Sequence, residues 1–172
     1  MINSINYFEL FSLPQQFALD LNSLDAVYKT LMMQCHPDKV AAKTDFEKKQ
    51  AVMMAAMIND AYNTLKHPLD RASYLLKLKG IDVDKNEPTR FPPEFLMEQM
   101  QWRERLEEGI QAQDKEDLNN LQQEVILSYQ QLLSDLSQSL DSNDDDQSIL
   151  LIGKGRFLNK ITEHIEQVLT IQ

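Results

Sequence analysis

Gln34-Cys35-His36-Pro37-Asp38-Lys39 is a polar corner between two segments that have the apolar spacing of amphipathic helices. Before the corner, apolar residues recur at intervals of three and four: Leu24, Val27 or Tyr28, Leu31 and Cys35. After it, a second helix opens with a capping box, Thr44 to Glu47, and has one apolar side: Phe46, Met53, Met57, Ala61 and Leu65. Pro37 ends the first helix, because the residue before a proline is disfavoured in the α region. The stretch therefore predicts a helical hairpin whose tip exposes a histidine, a rigid proline and an acid.

The composition favours helices and bounds the class of protein. The chain has 172 residues with only 4 glycines and 6 prolines, a size that buries one good core or two small ones. Residues 1–80 carry nine Lys and Arg against eight Asp and Glu, a net charge of +1, whereas residues 81–172 carry eight against nineteen, a net charge of −11. Halves of such different charge predict two modules with different partners. The acidic half argues against nucleic acid, whose binding depends on neutralising phosphates.

The single cysteine, Cys35, excludes an internal disulfide and a zinc site built from several thiolates. The histidines do not have the spacing of a ligand set, so we expect no metal and no cofactor. No apolar run approaches the roughly 18–20 residues that span a bilayer, and the first residues do not have the pattern of a secretory signal. We therefore expect a soluble protein of a reducing compartment that does not enter membranes.

The remaining pattern predicts an all-α fold, beginning with a module of four helices in residues 1–80. A short helix covers about 6–13, and Asp20 or Asn22 caps the first helix of the hairpin. The fourth helix begins near Pro68 and ends at Gly80, residue types that suit a first turn and a C-terminal cap.

Residues 81–93, which include Pro92-Pro93, are predicted as a stiff linker. Residues 94–172 form a three-helix bundle, with helices over about 94–110, 115–140 and 148–171. The acidic run before the last helix is predicted as a turn, and Gly153 and Gly155 predict a late start or a kink in that helix.

The first helix of the bundle has two apolar faces. At about 100° per residue, one narrow face, the core side, collects Phe95, Trp102, Leu106 and Ile110. Leu96, Met97 and Met100 lie well away from that face. Such a helix is either enclosed or exposes a patch for a partner, and methionine suits an adaptable binding surface. The alternative is that the two methionines pack under the linker.

His36-Pro37-Asp38 between two amphipathic helices, followed by Asn59-Asp60-Ala61-Tyr62-Asn63-Thr64-Leu65, resembles a J domain, the module that stimulates ATP hydrolysis by DnaK-class chaperones. Three further segments narrow the resemblance to the HscB-type co-chaperones of iron–sulfur cluster assembly: 66–80, Phe95-Leu96-Met97-Glu98-Gln99 and Arg156-Phe157-Leu158. The resemblance covers nearly the whole chain. It implies an L-shaped monomer of the bacterial cytoplasm, with an N-terminal J domain and a C-terminal scaffold-binding bundle.

The resemblance also implies two contact surfaces. An HscA- or DnaK-class chaperone would bind His36, Pro37 and Asp38, with Asp38 paired to an arginine of the chaperone and with help from basic residues: Lys29, Lys39 and Lys43. J domains usually carry a more basic face here, so we expect weak electrostatic steering. An IscU-type scaffold protein would bind Leu96, Met97, Met100, Gln101, Arg103, Glu104 and Phe157. Gln101 stands where the family often has an acid.

These residues predict an adaptor and not an enzyme. The corner lacks the nucleophile and the substrate pocket that acid–base catalysis requires, so we expect no catalytic residues. The first alternative keeps the J domain but makes the bundle a general client-binding or dimerisation module. The second, a small helical enzyme that uses His36 or the acidic bundle, would require turnover without a chaperone or ATP.

Overall fold

The computed structural model describes residues 5–86 and 91–171. All regular structure in that part of the chain is helical, as predicted, and the backbone contacts divide the chain into two units, Met1–Leu78 and Lys79–Gln172. The N-terminal unit holds α1 (Tyr7–Leu10), α2 (Leu21–Gln34), α3 (Pro37–Val40), α4 (Asp45–Lys66) and α5 (Pro68–Leu78). The C-terminal unit holds α6 (Pro93–Ala112), α7 (Lys115–Asp141) and α8 (Asp145–Ile171).

The hairpin of α2 and α4 is held in register by polar contacts between two tyrosines and their neighbours. The rings of Tyr28 and Tyr62 stack with centroids 4.0 Å apart. The Tyr28 hydroxyl donates to Asn59 Oδ1 at 2.7 Å, and the Tyr62 hydroxyl donates to Asp25 Oδ1 at 2.8 Å. Residue 28 therefore lies opposite residue 59, and the two helices run antiparallel.

The core of the N-terminal unit is a buried cluster from α1, α2 and α4 with the residue that follows α1: Phe8, Phe11, Leu24, Ile58, Ala61 and Leu65. The predicted apolar face of α4 is wrong in its first half, since Phe46 and Met53 are 69% and 73% exposed. The hairpin register explains the difference. It places the end of α2, Gln34, level with Met53, so Met53 lies at the edge of the contact with α2. The earlier turns of α4, which carry Phe46, extend beyond α2, and the one-turn α3 is a helix that contacts α4.

Two helix boundaries differ from the prediction because of local backbone chemistry. α1 ends at Leu10 instead of residue 13, because Ser12 has a left-handed conformation (φ +54°). α8 begins at Asp145, three residues early, because Asp144 Oδ1 accepts the N–H of Gln147 at 3.1 Å and so caps the helix. The expected late start at the two glycines is therefore wrong, and both lie buried within α8.

Residues 79–86, where the predicted linker begins, pack on the C-terminal bundle. Val83 is only 4% exposed. Lys79 Nζ donates to Asn143 Oδ1 at 2.9 Å and to Asp145 Oδ1 at 2.8 Å, and Asp84 pairs with an arginine of α8, Arg156, at 2.9 Å. Residues 87–90 of the predicted linker lie outside the described residues.

Candidate binding surfaces

The corner at the tip of the hairpin is a single helical turn and not an irregular loop. α2 ends at Gln34, and Pro37 occupies the first position of α3, where a residue without an N–H is tolerated. His36 caps this turn, because its Nδ1 accepts the backbone N–H of Asp38 at 3.2 Å. Val40, the last residue of the turn, is 8% exposed and so anchors the turn in the N-terminal unit. Local capping and one apolar anchor thus hold His36, Pro37 and Asp38 at the tip.

The corner presents its charge to solvent. The side chain of Asp38 is 92% exposed and that of His36 is 58% exposed, with 3.6 Å between His36 Nδ1 and Asp38 Oδ2. The other residues predicted for this surface are also exposed: Pro37, Lys29, Lys39 and Lys43. The neighbouring thiol of Cys35 is half-buried against the core. A carboxylate this open is suited to pair with a cation on another protein.

Residues 5–86 and 91–171 contain neither a metal-binding cluster nor a membrane-spanning helix. Nowhere in those ranges do three or more His, Cys, Asp or Glu side chains gather as they would around a metal ion. Among the helices described, none combines the length and apolar character of a membrane span.

The second candidate surface lies on α6 and α8, and its centre, the methionine patch, is defined here as Leu96, Met97, Met100 and Phe157. Met97 and Met100 are each 61% exposed and Leu96 is 42% exposed, whereas the opposite side of α6 is buried at Phe95, Trp102 and Leu106. The alternative prediction, in which Met97 and Met100 pack under the linker, is therefore wrong. The polar residues predicted around the patch are also exposed: Gln101, Arg103 and Glu104.

Phe157 joins α8 to this surface and is held by aromatic neighbours. Its ring meets Phe95 edge to face at 5.8 Å and stacks on Trp102 at 6.5 Å. The guanidinium of Arg103 lies 5.4 Å from its centroid. The ring is half-buried, so one part packs on the core while another remains accessible beside the methionines.

A polar network between α6 and α7 lies behind Phe157 and was not predicted from the sequence. The indole N–H of Trp102 donates to Glu124 Oε1 at 2.8 Å, and Arg105 donates to Glu124 Oε2 at 2.8 Å. Arg105 also makes a bidentate pair with Asp117, which lowers the pKa of that carboxyl. These partners lie 12 to 22 residues apart in the chain, so no local spacing reveals them.

Comparison with known proteins agrees with this arrangement. A family model described as the HSCB C-terminal oligomerisation domain matches residues 91–166. The co-chaperone protein HscB homolog of Neisseria meningitidis serogroup C is 47% identical over 163 residues, which cover 95% of this chain and 98% of the relative. The structure of chaperone HscB from Vibrio cholerae matches with a TM-score of 0.86 and 37% identity, covering 97% of this chain and 99% of that one. Human co-chaperone HscB matches with a TM-score of 0.89 and 27% identity, covering 97% and 83%.

A helical hairpin with His-Pro-Asp at its tip places the chain in the class of co-chaperones that carry a J domain, and here a C-terminal three-helix bundle follows it, as in the matching structures. The similarity extends along nearly the whole chain. This chain belongs to the HscB family of co-chaperones, which act in iron–sulfur cluster assembly.

Proposed function

We propose that this protein works in the bacterial cytoplasm as a two-ended adaptor. The N-terminal unit stimulates the ATPase of an HscA- or DnaK-class chaperone, and the C-terminal unit delivers an IscU-type scaffold protein to it. The protein contributes coupling free energy and no catalytic chemistry of its own. The observation that carries the proposal is that each unit exposes one distinctive surface, the Asp38 corner on the first and the methionine patch on the second.

At the chaperone end, Asp38 accepts hydrogen bonds from an arginine of the chaperone. The capped turn supports this role, because His36 and Pro37 fix the backbone that carries the carboxylate. Lys29, Lys39 and Lys43 guide the encounter with an acidic chaperone surface. Since they are few, association has a modest dependence on salt.

At the scaffold end, the apolar side chains of the methionine patch supply most of the binding free energy. Flexible methionines adapt to the partner, and Phe157 is an ordered aromatic anchor among them, the kind of residue that dominates interfaces. Gln101, Arg103 and Glu104 form the polar rim. Gln101 contributes a neutral hydrogen bond where the family often has an acid.

The substitution Asp38→Asn tests the chaperone end. It keeps the shape of the side chain and removes its charge, so we expect stimulation of the chaperone ATPase to fall by about tenfold or more, the cost of losing a charge-assisted hydrogen bond. Steady-state ATP hydrolysis by the chaperone measures this. Asp45→Asn is the matched control, since Asp45 has a 96% exposed side chain at the start of α4. Equal loss in both variants contradicts a specific role for Asp38.

The converse substitution tests the scaffold end. Leu96→Ala with Met97→Ala and Phe157→Ala should weaken scaffold binding by about 100-fold or more, since hot-spot truncations cost on the order of 1–3 kcal/mol each. Titration calorimetry with the scaffold protein measures this, and ATPase stimulation in its absence should stay unchanged. Leu127→Ala, at a residue 64% exposed on α7, is the control. Loss of both activities in either variant means that the division between the two ends is wrong.

A second candidate function for the bundle is self-association, and the description of the matching family model as an oligomerisation domain favours it. In that case the methionine patch would join two copies of the chain. We propose a monomer, which leaves the patch open to the scaffold. Sedimentation equilibrium separates the two, because a stable dimer that the triple alanine variant dissociates supports self-association.

A further inference from the structure

Lys154, on α8 one turn before Phe157, is a cation of the acidic unit that forms no ion pair within 4 Å in the described part of the chain. Lys79, Lys85, Arg105 and Arg156 each pair with a carboxylate. Among the described residues, no carboxylate lies within 4 Å of Lys154, and its Nζ instead lies 5.0 Å above the centroid of Phe95. The residue is half-buried, with its ammonium group over the ring.

The ammonium group extends the surface proposed for the scaffold. Arg103, Phe157, Phe95 and Lys154 form a row of successive contacts, with the two rings in the middle and a cation at each end. Lys154 also lines an open groove on α6 together with Glu94, Phe95, Met97, Glu98 and Gln101. Two residues predicted to touch the scaffold, Met97 and Gln101, thus share a groove with Lys154.

Two acids, Glu94 and Glu98, line the groove with Lys154, and the pKa of Glu98 is shifted. Burial raises the pKa of Glu98, and the nearby charge of Glu124 raises it further, whereas Lys154 acts in the opposite direction. Glu98 makes no ion pair with Lys154 within 4 Å among the described residues. A carboxylate from another protein therefore meets an ammonium group that interacts with Glu98 at a distance but is not paired at close range with any described carboxylate.

We infer that Lys154 is a contact residue of the scaffold-binding surface and receives a carboxylate of the partner, so that the partner has acidic residues beside its apolar contact. The inference rests on the proposed function. Local charge complementarity supports this partner chemistry, because Lys154 and Arg103 place cations at the two ends of the aromatic pair beside the methionine patch. The unit as a whole carries a net charge of −11, so an acidic partner is repelled elsewhere on it. A cation over an aromatic face also interacts more strongly with a carboxylate once a bound partner excludes water from the groove.

Charge reversal with a matched control tests the inference. Lys154→Glu should weaken binding of the scaffold protein by about tenfold or more at low salt, and the loss should shrink as salt screens the repulsion. Lys160→Glu makes the same change in net charge at an exposed position six residues later on α8 that does not line the groove. It should leave the affinity within about twofold.

A neutral variant separates charge from packing. Lys154→Met keeps an unbranched stem over Phe95 and removes the charge, so it should lose affinity by about three- to tenfold with an unchanged unfolding midpoint. Wild-type affinity in both Lys154 variants, or an equal loss in Lys160→Glu, overturns the inference. The triple alanine variant in the same titrations distinguishes the inference about Lys154 from the proposed function of the methionine patch. If it abolishes binding while Lys154→Glu does not, the inference fails and the proposed function stands; wild-type binding by the triple variant overturns the proposed function.

Discussion

Glu124 does not belong to either candidate surface, yet its position affects one of them. It accepts the indole N–H of Trp102, and Trp102 stacks under Phe157. The orientation of the half-buried Phe157 ring thus depends on a carboxylate from a different helix, that of Glu124 on α7. Asp117 lies on the same helix and binds the same arginine, but it makes no hydrogen bond to the indole. The pair offers a comparison between a positioning residue and a purely structural one.

Glu124→Ala should lower scaffold affinity by about three- to tenfold, because loss of the acceptor frees the indole and with it the ring of Phe157. Asp117→Ala should leave that affinity unchanged. Titration calorimetry on both variants measures the difference. In a Trp102→Phe background, which has no indole N–H, Glu124→Ala should have little further effect on affinity. Equal losses from Glu124→Ala and Asp117→Ala would assign the network a structural role alone.

At the scale of helices, three of the described helices end in the same backbone motif, which their sequences do not reveal. They are α1, α6 and α7. Ser12, Gln113 and Asn143 all have positive φ, at +54°, +53° and +57°. In each case the next N–H donates to a carbonyl five residues earlier: Leu13 to Phe8 at 2.9 Å, Asp114 to Gly109 at 2.9 Å, and Asp144 to Ser139 at 2.9 Å. This is the Schellman motif, which glycine usually provides. Of the four helix ends with a left-handed residue, only the one at Gly80 carries the expected residue type.

Gln113→Gly should raise the free energy of unfolding of the bundle by about 0.5–1 kcal/mol, since glycine adopts the left-handed conformation without the penalty of a Cβ. Gln111→Gly, two residues earlier within α6, should lower it by about 1 kcal/mol, because there glycine only adds flexibility to a helix. Urea denaturation followed by circular dichroism measures both. Changes of the same sign in the two variants would contradict a specific effect of backbone conformation at Gln113.

Features that depend on contacts within a few residues could be predicted from the sequence, whereas features that depend on contacts between helices could not. Thr44 and Glu47 were predicted as a capping box and form one, because both partners lie within four residues. The exposure of Met97 and Met100 was predictable because helical periodicity alone separates them from Trp102. The prediction for Phe46 on the apolar face of α4 was wrong because its burial depends on where α2 ends. The role of Glu124 was missed because its partners are on another helix. Periodicity also suggested a patch for a partner on α6, but the identities of the partners came only from the family resemblance.

At the scale of the whole molecule, each unit has its own core. The buried cluster of the N-terminal unit comes from residues between Phe8 and Leu65. The bundle has a separate buried set: Leu118, Leu121, Val125, Leu132, Leu136, Ile152, Leu158, Ile161 and Ile165. Two separate cores suit an adaptor, because damage to one binding end then need not reach the other.

Leu65→Ala and Leu121→Ala test this separation, since both side chains are fully buried, one in each core. Each should destabilise its own unit by about 2–5 kcal/mol, the range for a leucine truncated in a packed core. Hydrogen exchange should show faster exchange in α2 and α4 for Leu65→Ala and in α7 and α8 for Leu121→Ala. If either variant accelerates exchange evenly along the chain, the two units unfold as one.

Trp102 is the single tryptophan of the chain, and it lies 3% exposed against Phe157 with its N–H bound to Glu124. Excitation at wavelengths that select indole therefore gives an optical signal from the bundle alone. A partner that presses on Phe157 should alter the emission without any attached dye, while events confined to the hairpin leave it unchanged. The protein thus carries a natural fluorophore directly beneath the surface whose occupancy matters most.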